Sequence, residues 1–313
     1  MSYTVSSVEF PSVDGRHTLS GTVYRPDGEI KGIFHIVHGM TEYIKRYAPL
    51  FEAAAERGFI AFGYDHLGHG ETARDDSELG YFAEKNGYDL LVRDVLAAED
   101  KMLEQNPGLP LILMGHSMGS FISRLAAERG GERLSGLIIC GTGGPRFGAE
   151  AGLLICDIEK LIFGERHISK TIENMTFGSY NTRFPGGSKY AWITKDKAVI
   201  AEYEKDKYCT FHFTVSALHD LVKLSISANR RDWFLNMRKD LPVLIVSGAD
   251  DPVGDYGRGV RKVYDRLKSA GAENVTLHLY ENGRHEIHND DCRAELFGEI
   301  GEFLDSCAAE AEK

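Results

Sequence analysis

The sequence predicts an α/β protein. It should hold a mainly parallel central sheet, helices on both faces, and an inserted, mostly helical cap. Three observations carry this expectation. Short, nearly continuous apolar runs recur from residue 31 onward, amphipathic segments closed by glycine lie between them, and the alternation stops between about 145 and 232 before resuming.

The elements follow in order. YTVSSVEF and HTLSGTVYRP alternate in polarity across the turn signal Asp14-Gly15, as antiparallel strands do. KGIFHIVHG, FIAFGYD, LPLILMGHS, LSGLIICG, LPVLIVSGAD and VTLHLYEN are short, nearly continuous apolar runs, which fits strands buried on both faces. PLFEAAAERG, YDLLVRDVLAAEDKMLEQNPG, SFISRLAAERGG and VRKVYDRLKSAGA read as helices, each stopped by glycine. GLLICDIEKLIFGE and RDWFLNMRK also look helical. The stretch FGSYNTRFPGGSKYAWITKD between them mixes aromatic, glycine and polar residues. The expected division is a core of residues 1–144 and 233–313 with a cap over 145–232.

Bulk properties narrow the class. The chain of 313 residues has an ordinary apolar fraction and a net charge of −11. That charge argues against non-specific nucleic-acid binding and against a strong pull to anionic membranes. No apolar run approaches the ~20 residues of a membrane span, so stable membrane insertion is not expected. The five cysteines are scattered without CxxC spacing and read as reduced thiols. The N-terminal residues lack a basic segment followed by an apolar one, so a cytoplasmic location is expected.

The chemistry centres on Gly115-His116-Ser117-Met118-Gly119, where a buried strand should become a helix. A serine between two glycines at such a junction is a nucleophile elbow. The tight turn lifts the hydroxyl to the helix N-terminus, where developing negative charge is favoured. A serine hydroxyl needs a base, and the base needs an orienting carboxylate. In this chain order the acid follows a late strand. Asp250 and Asp251 both qualify; Asp251 is preferred because it precedes Pro252, and Asp250 could instead shape the turn. The base should follow the last strand. His285 sits on a short glycine-containing loop, His288 is the fallback, and His278 lies within the strand itself.

An oxyanion needs two N–H donors. Met118 supplies one, just after the nucleophile. His38-Gly39 allows close backbone approach, which leaves Met40 as the second. Asp65, His66 and His69, in GYDHLGHGET, are expected to brace the site by hydrogen bonds. His285-Glu286-Ile287-His288 is HExH rather than HExxH, so it lacks zincin spacing, and no metal is expected.

HGMTEYIKRY, YDHLGHG, GHSMGS, GADDPVG and GRHE, in this order, resemble the α/β-hydrolase fold serine hydrolases. The likeness is strongest to the monoacylglycerol lipase and bacterial lysophospholipase-like branch, the serine aminopeptidase S33 type. It covers nearly the whole chain and extends to WITKDKAVIAEYEKDKYCTFHFT in the cap. The resemblance implies Ser117 as nucleophile, Asp251 as acid and His285 as base. It makes Met40 and Met118 the oxyanion donors and Glu42 a brace for their loop, with His38, Gly39 and His116 supporting. This chain departs from the family at Met40 and Thr41, where a small residue and glycine are usual, and at Tyr43, where histidine is. Leu67 opens a loop that usually begins with arginine.

These readings predict a serine carboxylic ester hydrolase acting on small acyl esters, with no cofactor. A thioesterase or amidase and a metal-free haloperoxidase would keep the same triad, and a ligand-binding relative would keep only the pocket. Leu153, Leu154, Ile158, Leu161 and Ile162 form an apolar helix face, either packed on the core or open to a lipid tail. Phe177, Tyr180, Tyr190 and Trp192 could line a substrate slot or fill the cap. Oligomeric state is left open.

Overall fold

The computed structural model describes residues 2–311. The chain opens with β1 (Tyr3–Pro11) and β2 (Thr18–Pro26), which pair antiparallel. β3 (Gly32–Val37), α1 (Ala48–Glu56), β4 (Phe59–Tyr64), α2 (Gly87–Gln105), β5 (Leu111–His116), α3 (Met118–Gly130) and β6 (Leu134–Cys140) follow. Next come α4 (Ala149–Phe163), α5 (Lys170–Phe177), α6 (Lys197–Tyr203), α7 (Val215–Asn229) and α8 (Arg231–Asn236). The sheet pattern returns with β7 (Val243–Gly248), α9 (Arg258–Ser269), β8 (Val275–Tyr280) and α10 (Arg293–Ala311).

The strands form one sheet in the order β1-β2-β4-β3-β5-β6-β7-β8. β2 runs antiparallel to β4, and from β4 to β8 every pairing is parallel. Successive strand residues point to opposite faces, so each apolar run feeds two cores. In β5, Leu111 and Leu113 join Leu91 of α2 and Leu125 of α3 on one face. Ile112 and Met114 join Phe51 of α1 and Ile300 of α10 on the other. Continuous hydrophobicity is therefore what two covered faces require.

The strand order turns back at β3. The chain steps from β3 out to β4, then returns to place β5 on the other side of β3. The crevice at such a reversal, at the carboxyl ends of the strands, is where open α/β sheets bind ligands. Val37 of β3 pairs with Gly115 of β5, so the loops that follow these strands emerge side by side.

Several features depart from the sequence expectation, among them the helices α5, α6 and α10, which were not expected. β8 is an edge strand, and only Tyr280 in it is buried; Val275, Leu277 and Leu279 pack partly against one core while Tyr280 enters the other. The long helix α7 was not expected. Thr214 caps it by accepting the Ala217 N–H, and Leu218, Leu224 and Ala228 enter the same core as α2 and α3. Its serines dilute the apolar stripe, which hides the helical period.

Candidate active site

Ser117 follows β5 directly and is the N-cap of α3, with φ 54° and ψ −118°. A positive φ is costly for a residue with a Cβ and persists only where the surroundings enforce it. Here the flanking glycines enforce it. A Cβ on Gly115 would run into Gly119 and Ser123, and one on Gly119 into the Val37 and His38 carbonyls. The Ser117 N–H donates to the Cys140 carbonyl at 3.0 Å, which ties the elbow to β6. The first-turn N–H of Met118 has no acceptor within its own helix.

Asp251 and His285 come from the ends of β7 and β8. His285 Nδ1 lies 3.0 Å from Asp251 Oδ2, and Asp251 has no exposed surface. The other carboxylate oxygen accepts the Val253 N–H at 2.8 Å. Asp250 is partly exposed, whereas Asp251 faces the imidazole. The carboxylate fixes the imidazole with Nδ1 protonated, leaving Nε2 free to accept a proton. No hydrogen bond joins Ser117 Oγ to this ring, yet Ser117, His285, Met40 and Met118 line one cavity of about 830 Å³.

The loop after β3 is held from below. Gly39 packs so closely that a Cβ there would meet Ser117 Cβ and the Glu42 carboxylate. Glu42 Oε1 accepts the Gly39 N–H and the Tyr47 hydroxyl, and lies 3.0 Å from His116 Nδ1. His116 Nε2 is 3.2 Å from the His285 carbonyl oxygen. Both ring nitrogens of His116 thus face acceptors, as an imidazolium requires. Burial opposes its protonation, but the hydrogen bond and charge of Glu42 overcome that and raise its pKa. Burial likewise opposes ionisation of Glu42, yet His116 and then Arg46 hold its carboxyl well below the usual range.

HExH has a different use from metal binding. Glu286 makes a bidentate pair with Arg46 at 2.7 and 2.8 Å. His288 is buried, stacked on Tyr47 at 4.7 Å between ring centroids, and burial brings its pKa down to about 3. It lies behind the cavity wall rather than in it. Among the described residues no cluster of three or more His, Cys, Asp or Glu is placed to hold a metal. His278 faces Glu299 instead.

The bracing role expected of GYDHLGHGET is split. Asp65 accepts the Ile44 and Glu71 N–H groups at 2.7 and 2.8 Å. His66 instead leaves both ring nitrogens unpartnered, and it is its backbone N–H that donates to His38 Nε2. His66 braces by packing, with its ring 4.3 Å from that of His38.

The segment 145–232 grips the site through Trp192, Ile193 and Tyr203, which fall in the stretch WITKDKAVIAEYEKDKYCTFHFT that carries the resemblance. The His285 and Glu286 N–H groups donate to the Trp192 and Ile193 carbonyls, at 3.4 and 2.7 Å. The Tyr203 hydroxyl donates to the Thr41 carbonyl at 2.8 Å, holding a loop whose Thr41 has φ 50°. Phe177, Tyr180, Tyr190 and Trp192 all line the cavity. The apolar face of α4 behaves differently. Leu153 is half-buried, but Leu154, Ile158, Leu161 and Ile162 are 61%, 49%, 88% and 63% exposed, so most of this face does not pack on the core.

Known proteins agree with this architecture. Residues 28–292 match the family model described as serine aminopeptidase, S33. A monoacylglycerol lipase of Mycolicibacterium smegmatis is 26% identical, with 93% of each chain covered. Human monoglyceride lipase is 24% identical over 96% of this chain and 90% of its own. The crystal structure of a thermostable carboxyl esterase from Bacillus coagulans superposes with a TM-score of 0.92 at 30% identity, covering 97% of this chain and 99% of the esterase. The chain belongs to the serine aminopeptidase S33 family and has the α/β-hydrolase fold.

Proposed function

We propose that this ester hydrolase works through an acyl-enzyme on Ser117, with small acyl esters such as monoacylglycerols or lysophospholipids as substrates. One observation carries the reading. A strained serine elbow and a histidine held by a buried aspartate line the same cavity. In this scheme His285 Nε2 takes the Ser117 proton as Oγ attacks the ester carbonyl. Asp251 keeps the ring oriented and stabilises its cation. The Met40 and Met118 N–H groups receive the tetrahedral oxyanion. His285 then protonates the leaving alcohol and activates the water that hydrolyses the acyl-enzyme. The bond between Ser117 and His285 forms as substrate settles, since such bonds tighten in the Michaelis complex.

The cap supports the substrate class. Its aromatic residues and Ile155 give the cavity an apolar wall that suits an acyl chain. The exposed face of α4 suits substrates that gather in apolar aggregates. Residues 145–232 fit a cap inserted into a core of 1–144 and 233–313. Within it α7 stays packed on α2 and α3, so this cap would not fold alone. All five cysteines are free thiols, which fits a reducing, cytoplasmic setting. Among the described residues no helix is long and apolar enough to cross a membrane.

The test is a chain-length series of p-nitrophenyl esters and monoacylglycerols, run on wild type and Ser117→Ala. Wild type should hydrolyse them, and the variant should lose about 10⁶-fold in kcat. A rate that survives in Ser117→Ala would refute the acyl-enzyme. Matched thioesters and anilides in the same series separate esterase from thioesterase or amidase.

A further inference from the structure

Arg124 lies on α3, wholly buried, and no carboxylate pairs with it among the described residues. A buried charge without a counter-ion is normally avoided. Its guanidinium stacks over Trp233 at 4.2 Å. Nη2 donates to the Ala228 carbonyl and to Asn229 Oδ1, at the carboxyl end of α7, where the helix dipole is negative. Nη1 donates to Thr142 Oγ1 at 3.3 Å. Burial, then the neighbouring Arg266, lowers its pKa to about 9, so it remains a cation at neutral pH.

Thr142 leads toward the nucleophile. Thr142 Oγ1 is 2.8 Å from Ser120 Oγ, and Ser120 Oγ is 2.6 Å from the carbonyl oxygen of Ser117. Hydrogen counting sets the direction. Two oxygens at 2.6 Å need a hydrogen between them, and only the Ser120 hydroxyl carries one there. Ser120 has a single hydrogen, so toward Thr142 it can only accept. A guanidinium can only donate, so Thr142 accepts from Arg124 and passes its own hydrogen to Ser120. Each hydroxyl accepts once and donates once, in a line from the cation to the Ser117 carbonyl.

That carbonyl shares a planar, trans peptide with the Met118 N–H, and the two point in opposite directions. Holding the carbonyl from the α3 side therefore aims the N–H the other way. Polarisation along a hydrogen-bonded chain also strengthens the N–H as a donor. We infer that Arg124 is a positioning residue, acting through Thr142 and Ser120 to orient and polarise the Ser117–Met118 peptide as half of the oxyanion hole. This inference rests on the acyl-transfer reading of Ser117. Neither Thr142 nor Ser120 lines the cavity, so their influence on substrate must pass through the peptide.

The experiment uses the full chain carrying Thr142→Val, Ser120→Ala, Arg124→Met, Arg124→Lys, and the Thr142→Val/Arg124→Met pair. Each is assayed for kcat and KM on p-nitrophenyl butyrate and for affinity toward an aliphatic trifluoromethyl ketone, which forms the oxyanion. Thr142→Val and Ser120→Ala should each lower kcat about tenfold, a fraction of the 10²–10³ lost when an oxyanion donor is deleted. KM should stay within about twofold, and ketone affinity should fall with kcat. Arg124→Met should match Thr142→Val, the pair should lose no more than either alone, and Arg124→Lys should recover part of the rate. Should Arg124→Met not fold, the two hydroxyl variants still decide the question. Folded Thr142→Val and Ser120→Ala proteins with unchanged kcat and ketone affinity would overturn the relay, as would additive losses in the pair. Persistence of hydrolysis in Ser117→Ala would overturn the acyl-transfer reading itself, whatever these variants do.

Discussion

The elbow and the helix α4 are both rich in apolar and small residues, yet the fold treats them oppositely. Around Ser117 the neighbouring glycines are closed in by surrounding atoms: Gly115, Gly119 and Gly39 have no room for a methyl group. Along α4 only Cys156 is buried, and the apolar side chains of one face stand in solvent. The floor of the site spends backbone strain to hold one geometry. Helix α4 keeps an apolar surface uncovered, which costs solubility and is retained where a surface meets something apolar. Rigid chemistry below and an open apolar surface above would suit an enzyme whose substrates are amphiphiles.

Substitutions can break this contrast, starting with the site floor. Asp251→Asn should lower kcat by about 10⁴, because the imidazole loses its orienting acceptor. Asp250→Asn, one residue away and partly exposed, should change kcat less than about threefold; steady-state kinetics on one soluble ester compares them. Equal losses would move the acid to Asp250 or deny either the role.

The brace under the loop after β3 comes next. Glu42→Gln should destabilise the protein by about 3 kcal/mol, the scale for breaking a buried ion pair. The pH dependence follows from the directions of the two shifts. His116 is raised above its ordinary 6.5, so its share of stability is complete below 6.5 and is lost as pH rises through its folded value. Glu42 is depressed below its ordinary 4.5, so its share is present above 4.5 and is lost as pH falls through its folded value. The gap between wild type and Glu42→Gln should therefore be widest between 4.5 and 6.5 and narrow at alkaline pH. Urea unfolding at about pH 5.5 and about pH 9 reads it. A gap that is constant with pH would mean that His116 is neutral.

The smallest effect on stability is expected on α4. Leu161→Ser with Ile162→Ser should change unfolding free energy by less than about 0.5 kcal/mol, as exposed substitutions do. Hydrolysis of p-nitrophenyl butyrate should be unaffected, while turnover of emulsified long-chain monoacylglycerol should fall severalfold. Equal rates on the emulsion would leave the exposed face without a part in substrate capture.

The legible and illegible parts of the sequence divide along the same line. The strands, the elbow and the pairing of Asp251 with His285 could be read because each rests on a local rule: continuous apolar runs, glycines where no Cβ fits, a loop after a strand end. The Arg46–Glu286 pair joins residues that are 240 positions apart, and no local pattern announces it. His288 was a plausible base by position, and only its place behind Tyr47 and His116 removes it. The grip of the Trp192 and Ile193 carbonyls on the histidine loop uses backbone atoms that carry no residue signature. The exposure of Leu161 is likewise a property of what the helix packs against, and its period alone does not state which way the face turns.

The central claim is that Ser117 is acylated. The most direct measurement is to treat wild type, Ser117→Ala and His285→Ala with a fluorophosphonate and locate the adduct by peptide mass spectrometry. The account predicts one adduct per chain, on Ser117, with loss of ester hydrolysis in step with labelling, and strongly slowed labelling in His285→Ala. An adduct on another residue, or full hydrolysis by a protein labelled at Ser117, would contradict it.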